Sequence, residues 1–190
     1  MVQNLMSKEK LEWQIKHAYG KVCYSFTCHE KEIQLLVARE RILKVLQIIL
    51  SAISAGTLIT TLFGINNIST IIGSVIATLL LVINSINFKF DLGTTISKHK
   101  IISNKLWLIR EKYLAFIAEF ELLDIKEIID RRDNLTLELS EIYSSALRTS
   151  KKSYIETRKA LKYEEEHFFS EDEIELLLPP KFRKKDSKFI

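Results

Sequence analysis

The chain has 190 residues, a net charge of +4, five glycines, two prolines and two cysteines. Its charge is nearly balanced on both sides of a charge-free middle, with eight Lys/Arg against five acids over residues 1–44 and 20 against 19 over residues 89–190. That balance argues against a nucleic-acid-binding domain, which carries a basic face. The scarcity of Gly and Pro points to helices, and no strand-like alternation stands out.

The N-terminal segment, residues 1–43, reads as a cytoplasmic helix. Leu11, Ile15, Ala18 and Val22 recur at helical spacing on one face. Ile33, Leu36 and Val37 renew that face before Arg41, and Trp13, Tyr19, Tyr24 and Phe26 add aromatic bulk. No apolar signal core lies within this segment. Cys23, Cys28 and His29 form C-x4-C-H, but a closed zinc site needs four ligands and no second cysteine pair follows. Two free, reduced cytoplasmic thiols are the expectation, with no metal or other cofactor.

From Val45 to Phe88 no charged residue occurs, while Arg39, Glu40, Arg41 and Lys44 precede the stretch and Lys89 and Asp91 follow it. A helix needs about 20 apolar residues to cross a bilayer core of roughly 30 Å. Residues 44–88 therefore predict a transmembrane hairpin of two spans, turning at Gly64-Ile65-Asn66-Asn67. Basic residues flank both outer ends and are absent from the turn. The positive-inside rule then puts both termini in the cytoplasm, in a multi-pass inner-membrane protein.

The spans carry polar residues of one kind, hydroxyls and amides. Gln47, Ser51, Ser54 and Thr61 share a stripe on the first span, and Thr70, Ser74, Thr78 and Ser85 share one on the second, with Ala77 and Asn84 beside them. Ala52 with Gly56 and Gly73 with Ala77 give small-xxx-small spacing, which lets helix backbones approach. These stripes either pack the spans or, in an oligomer, line a water-filled path. Two helices alone enclose no channel, so conduction requires oligomerisation. The spans hold no ionisable group, which disfavours an ion-coupled transporter.

Residues 89–180 predict a cytoplasmic helical region. Ile102, Leu106, Ile109, Tyr113, Phe116, Phe120 and Leu123 alternate four- and three-residue spacing, a coiled-coil-like seam of about three heptads. It reads as a bundle core, as an oligomer or transmission face, or as both. Leu135, Leu139, Ile142 and Ala146 repeat the pattern, after a bend at Asp124 or within residues 131–134. A third helix starts near Ser150. Ser170-Glu171-Asp172-Glu173 is a capping box that opens a short helix, which Pro179-Pro180 ends. The tail, residues 181–190, begins Lys181-Phe182-Arg183-Lys184-Lys185 and reads either as a solvated end or as a contact for anionic lipid.

No hydrolase elbow, phosphate loop, HExxH or nucleotide fingerprint occurs, so no catalytic residue is assigned and an enzyme is not expected. The expected fold is all-α: a two-span transmembrane hairpin with a cytoplasmic helical bundle.

This layout resembles the SLATT domain, a two-span effector domain of prokaryotic conflict systems. The residues that carry the resemblance are Tyr163-Glu164 through His167, then Phe168-Phe169-Ser170-Glu171-Asp172-Glu173-Ile174-Glu175 and Leu176-Leu177-Leu178-Pro179. Trp13 and the stretch from Lys16 to Cys23 add to it, and the closing motif is similar to that of a branch associated with reverse transcriptases. The resemblance implies a pore-forming or membrane-disrupting effector in antiviral defence, acting as a homo-oligomer in the lipid bilayer. Its trigger would come from a sensor partner, a nucleotide second-messenger synthase or a reverse transcriptase encoded nearby. The rival reading is a two-span anchor that recruits a cytoplasmic partner and conducts nothing.

Overall fold

A computed structural model of the chain describes residues 2–62, 67–166, 169–179, 181 and 183, with side chains described from Lys8 onward except at 61, 62, 67 and 69. Among the described residues the structure is helical, without strands. Residues 63–66, which hold most of the expected turn, lie outside them.

Helix α1 runs unbroken from Val2 to Leu62. The N-terminal helix and the first span are thus one rod, which at 1.5 Å per residue is about 90 Å long. Helix α2 covers Asn67–Phe90 and α3 covers Leu92–Glu119. Together they return antiparallel along α1, from Gly73 beside Thr57, through Asn84 beside Gln47 and His99 beside His29, to Glu121 beside Lys8. A single 3-10 turn, Phe120–Leu122, closes α3. Helix α4, Ile125–Ser145, packs back on α3 and the N-terminal half of α1, and α5, Lys151–Lys162, packs on α1.

Side-chain caps set the boundaries. The Asp124 carboxylate accepts from the Glu127 N–H and opens α4, so the bend falls at Asp124 rather than in residues 131–134. Ser150 accepts from the Ser153 N–H and opens α5. The Ser170–Glu173 capping box is formed on both sides and opens α6, Glu171–Leu177. The last carbonyls of that short helix are satisfied by Arg183, whose guanidinium donates to Leu178 and Leu176 oxygens at 2.8 and 2.9 Å.

The core lies entirely outside the two apolar spans. Ile102, Leu106, Ile109, Tyr113, Phe116 and Phe120 of the α3 seam are buried against Ile15 and Val22 of α1 and Ile128, Leu135 and Ile142 of α4, with Leu123 half-buried at the edge. Leu11, Ala18, Leu139 and Ala146 pack on the same cluster. The heptad spacing therefore works within one chain. Polar ties fix α4 on α1: Tyr143 donates to the Ser25 hydroxyl at 2.8 Å and Arg132 to the Gln14 side-chain oxygen at 3.3 Å.

Candidate functional site

The charge-free parts of α1 and α2 are each long and apolar enough to cross a membrane. Their large side chains point outward: Ile48 is 69% exposed and Leu81 68%. An apolar exterior of that extent suits lipid and not water. Between the two helices runs a narrow seam. On α1 it is built from half-buried Leu43, Gln47, Leu50, Ser54 and Thr57, on α2 from Gly73, Ile76, Leu80, Ile83 and Asn87.

Two features hold the seam. The Gln47 amide donates to the Asn84 side-chain oxygen across it, near the end that joins the bundle. At the other end Gly73 meets Thr57 so closely that a methyl group on Gly73 would sit 2.6 Å from the Thr57 hydroxyl oxygen and 3.2 Å from its Cβ. Gly73 is thus the small residue the approach requires. Its counterpart on the first span is not used this way. Gly56 has open space around its Cβ direction, and Ala52 is exposed, so that pair faces away from α2.

The two polar stripes part company. Gln47 and Ser54 belong to the seam, while Ser51, Thr70, Ser74, Thr78 and Ser85 stand exposed beside it. A shallow groove joins the two groups on one flank, lined by Ser54, Thr57, Leu58, Thr70, Ser74 and Ala77. The Thr61 side chain lies outside the described ones. Hydroxyls of the second span bond to their own helix: Ser74 donates to the Thr70 carbonyl at 2.9 Å, Thr78 to Ser74 at 2.9 Å and Ser85 to Leu81 at 2.8 Å. Each donor is satisfied without a partner helix, and the remaining lone pairs face outward.

Where the hairpin enters the helical bundle its two legs differ. α1 continues without interruption. Between α2 and α3 a single residue, Asp91, takes φ 26°, in the left-handed region. Asp tolerates that conformation better than most residues. Its backbone N–H donates to Asn87 at 3.1 Å, and its carboxylate accepts from the Thr94 N–H at 3.1 Å to cap α3. The same hydrogen bonds hold the exposed Asp91 carboxyl below the usual carboxylate range.

About two turns beyond Asp91 lies a buried polar joint that the sequence did not announce. The rings of His29 on α1 and His99 on α3 are 4% and 2% exposed, and their Nδ1 atoms are 2.8 Å apart. One Nδ1 must donate and the other accept, so the contact holds a single proton and the accepting ring is neutral. Burial, reinforced by His99, pushes His29 down to about 4, against the pull of Glu32; burial also lowers His99. Beside them the Ser103 hydroxyl donates to Glu30. Glu32 accepts from the Ser150 N–H at 2.8 Å and from its hydroxyl at 2.6 Å, tying α1 to the start of α5. Burial alone would raise the Glu32 carboxyl, but these hydrogen bonds carry it below its ordinary value.

Of the C-x4-C-H residues, Cys28 is buried and Cys23 half-buried, both as free thiols that burial pushes up. His29 is spent on His99. Among the described residues no three His, Cys, Asp or Glu gather as metal donors.

Residues 11–173 match the family described as SMODS and SLOG-associating 2TM effector domain family 4. The chain belongs to that family. As a SLATT domain it is a membrane effector of conflict systems, and the matched segment takes in the α1 rod, the hairpin, the His29–His99 joint and the start of α6. No curated protein and no solved structure matches the chain.

Proposed function

We propose that this SLATT domain is a non-enzymatic inner-membrane effector that assembles from several copies and opens a path through the bilayer when a partner repacks its cytoplasmic bundle. Both termini lie in the cytoplasm, as the basic flanks require. The observation that carries the reading is the construction of the hairpin legs. One span is rigidly continuous with the bundle core, and the other meets it at a one-residue joint, Asp91. A shift of α3 along α1 would tilt the second span while the first keeps its axis. The exposed hydroxyl flank of Ser51, Thr70, Ser74 and Thr78 is the face with most to gain from another copy or from water. The activating partner is a sensor protein, a nucleotide second-messenger synthase or a reverse transcriptase encoded nearby.

A second reading, an anchor that recruits a partner without conducting, is favoured by the back-bonded hydroxyls, which lipid tolerates without assembly. Membrane potential and dye entry in cells on induced expression, with and without the neighbouring genes, separate the two. Depolarisation at membrane abundance matched to an inert two-span control supports the effector. Intact membranes in every genetic combination leave the anchor. Topology has its own test, in a Cys23→Ser, Cys28→Ser background. Cysteine at Asn66 should react with an impermeant thiol reagent in intact cells, and cysteine at the exposed Ser144 should react only after lysis. Labelling at Ser144 in intact cells overturns the orientation.

A further inference from the structure

On the flank of α1 that faces the start of α5, a cleft of about 470 Å3 opens at the cytoplasmic edge of the first span. Its floor is aliphatic, formed by Leu35, Leu36 and Ile42, and its rim carries Arg39 from α1 and Lys152 from the first turn of α5. Neither cation has an ion-pair partner among the described residues. Their neighbours do: Lys31 pairs with Glu166 at 2.8 Å and Lys44 with Glu40 at 2.7 Å. Glu32 borders the cleft, but its carboxylate is engaged by the Ser150 N–H and hydroxyl. The cleft thus holds two cations without an ion-pair partner and one hydrogen-bonded carboxylate, a net positive charge beside an apolar floor.

Its height matters as much as its charge. Arg39 lies six residues before Val45, where the charge-free stretch begins, about 9 Å along the helix axis. Headgroups occupy roughly the 5–8 Å beyond the hydrocarbon core on each side. Arg and Lys side chains reach several ångströms along an apolar surface while keeping the charge in polar surroundings. Arg39 can therefore meet a phosphate at headgroup level, and Ile42 lies where the glycerol and first methylenes would be.

We infer that this cleft is a site for the headgroup of an anionic phospholipid, its phosphate held between Arg39 and Lys152 and its glycerol end lying on Leu36 and Ile42. The lipid would bridge α1 to the N-terminal turn of α5, the same two helices that Glu32 and Ser150 join at the border of the cleft. The site is separate from the hydroxyl flank of the spans, and it needs only a membrane location, whether the assembly conducts or anchors.

The test uses the full chain, reconstituted in nanodiscs of phosphatidylcholine and phosphatidylglycerol in equal parts, then transferred to mild detergent. Phosphatidylglycerol that stays bound is counted by native mass spectrometry. For R39Q/K152Q, retention should fall on the order of tenfold or more, because the phosphate loses both of its charge-assisted hydrogen bonds. K98Q/K100Q removes the same charge from the same side of the membrane, outside the cleft, and should change retention by less than about twofold. R39K/K152R should restore retention. Equal loss in both glutamine variants would mean diffuse attraction and overturn the site, as would unchanged retention in R39Q/K152Q. Displacement of the lipid from the wild type by excess inorganic phosphate would show a site for a free anion instead. Membrane insertion and thermal melting are followed alongside, so that a misfolded variant is recognised and replaced by the single changes R39Q and K152Q.

Discussion

The buried His29–His99 contact is the residue-scale feature with the clearest consequence. Both rings titrate below the ordinary value of 6.5 because burial disfavours the charged form, and Glu32 is the charged group acting on both. A folded-state value below the unfolded one means that the unfolded chain binds more protons in the interval. Stability is then full above about 6.5 and is lost as the pH falls through that value toward about 4. Thermal melting in detergent should therefore drop steeply between pH 6.5 and 4, and the drop should flatten in a His29→Gln, His99→Gln variant. An equally steep drop in that variant would place the acid sensitivity elsewhere. No periodicity in the sequence pointed to this pair. The two rings are 70 residues apart, and only the antiparallel register of α1 and α3 brings them together. The C-x4-C-H reading looked along the chain, where the ring's partner does not lie. Gly73 was more legible, since small residues four apart announce close helix contact. Which of the two pairs makes that contact was not, because a helix in lipid has no polar exterior to fix its rotation. Gly73→Val should overpack the seam at Thr57, at about 1–3 kcal/mol. Gly56→Val, facing open space, should leave the span contact intact. Disulfide trapping between cysteines placed at Leu50 and Leu80 would report the difference.

At the scale of elements, α3 was read nearly as it is. The seven-residue alternation from Ile102 to Leu123 is a buried face because a heptad pattern marks whatever surface a neighbouring helix covers. The pattern does not say whether that neighbour belongs to the same chain. Here it does, through α1 and α4. Phe116→Ala with Phe120→Ala should cost about 3–5 kcal/mol for each ring and unfold the bundle while the hairpin still inserts. Protease resistance of the bundle is the readout, and persistent resistance would contradict the place of these rings in the core. The helix ends were equally legible at Ser150 and Ser170, where caps are local chemistry. The α2–α3 joint was not, because Asp91 itself, and not the nearby Gly93, takes the positive-φ conformation that breaks the helix. Asp91→Gly keeps access to positive φ and should cost only a few tenths of a kcal/mol, whereas Asp91→Ala loses the cap and strains the joint, at about 1–2 kcal/mol more. If the joint transmits a signal, the alanine variant, which favours a straight α2–α3 helix, should alter the response to the partner at equal abundance. Identical responses from both variants would leave Asp91 a cap and nothing further.

For the whole molecule the decisive question is whether the outward hydroxyls serve an assembly. A single hairpin hides Gln47, Ser54 and Thr57 between its helices and leaves Ser74 and Thr78 outside. The two groups can therefore be separated by substitution. Ser74→Val with Thr78→Val removes two outward hydroxyls at small change in bulk, and insertion should hold or improve, since apolar residues are favoured in the bilayer core. The lost bonds run only to carbonyls of their own helix, Thr70 and Ser74, so the hairpin itself should be unaffected. If the flank lines a path between copies, leakage from reconstituted vesicles in the activated state should fall at equal protein density. Crosslinked oligomers should persist if the hydroxyls face water, and shrink if they pack against a second copy. Ser54→Val with Thr57→Val, changed inside the seam, should instead disturb the pairing of the two spans. Unchanged leakage and unchanged oligomers in the Ser74, Thr78 variant would remove the flank from both roles. The second span would then serve as an apolar rod against lipid, and the effector's action would rest on the Asp91 joint and the bundle beneath it.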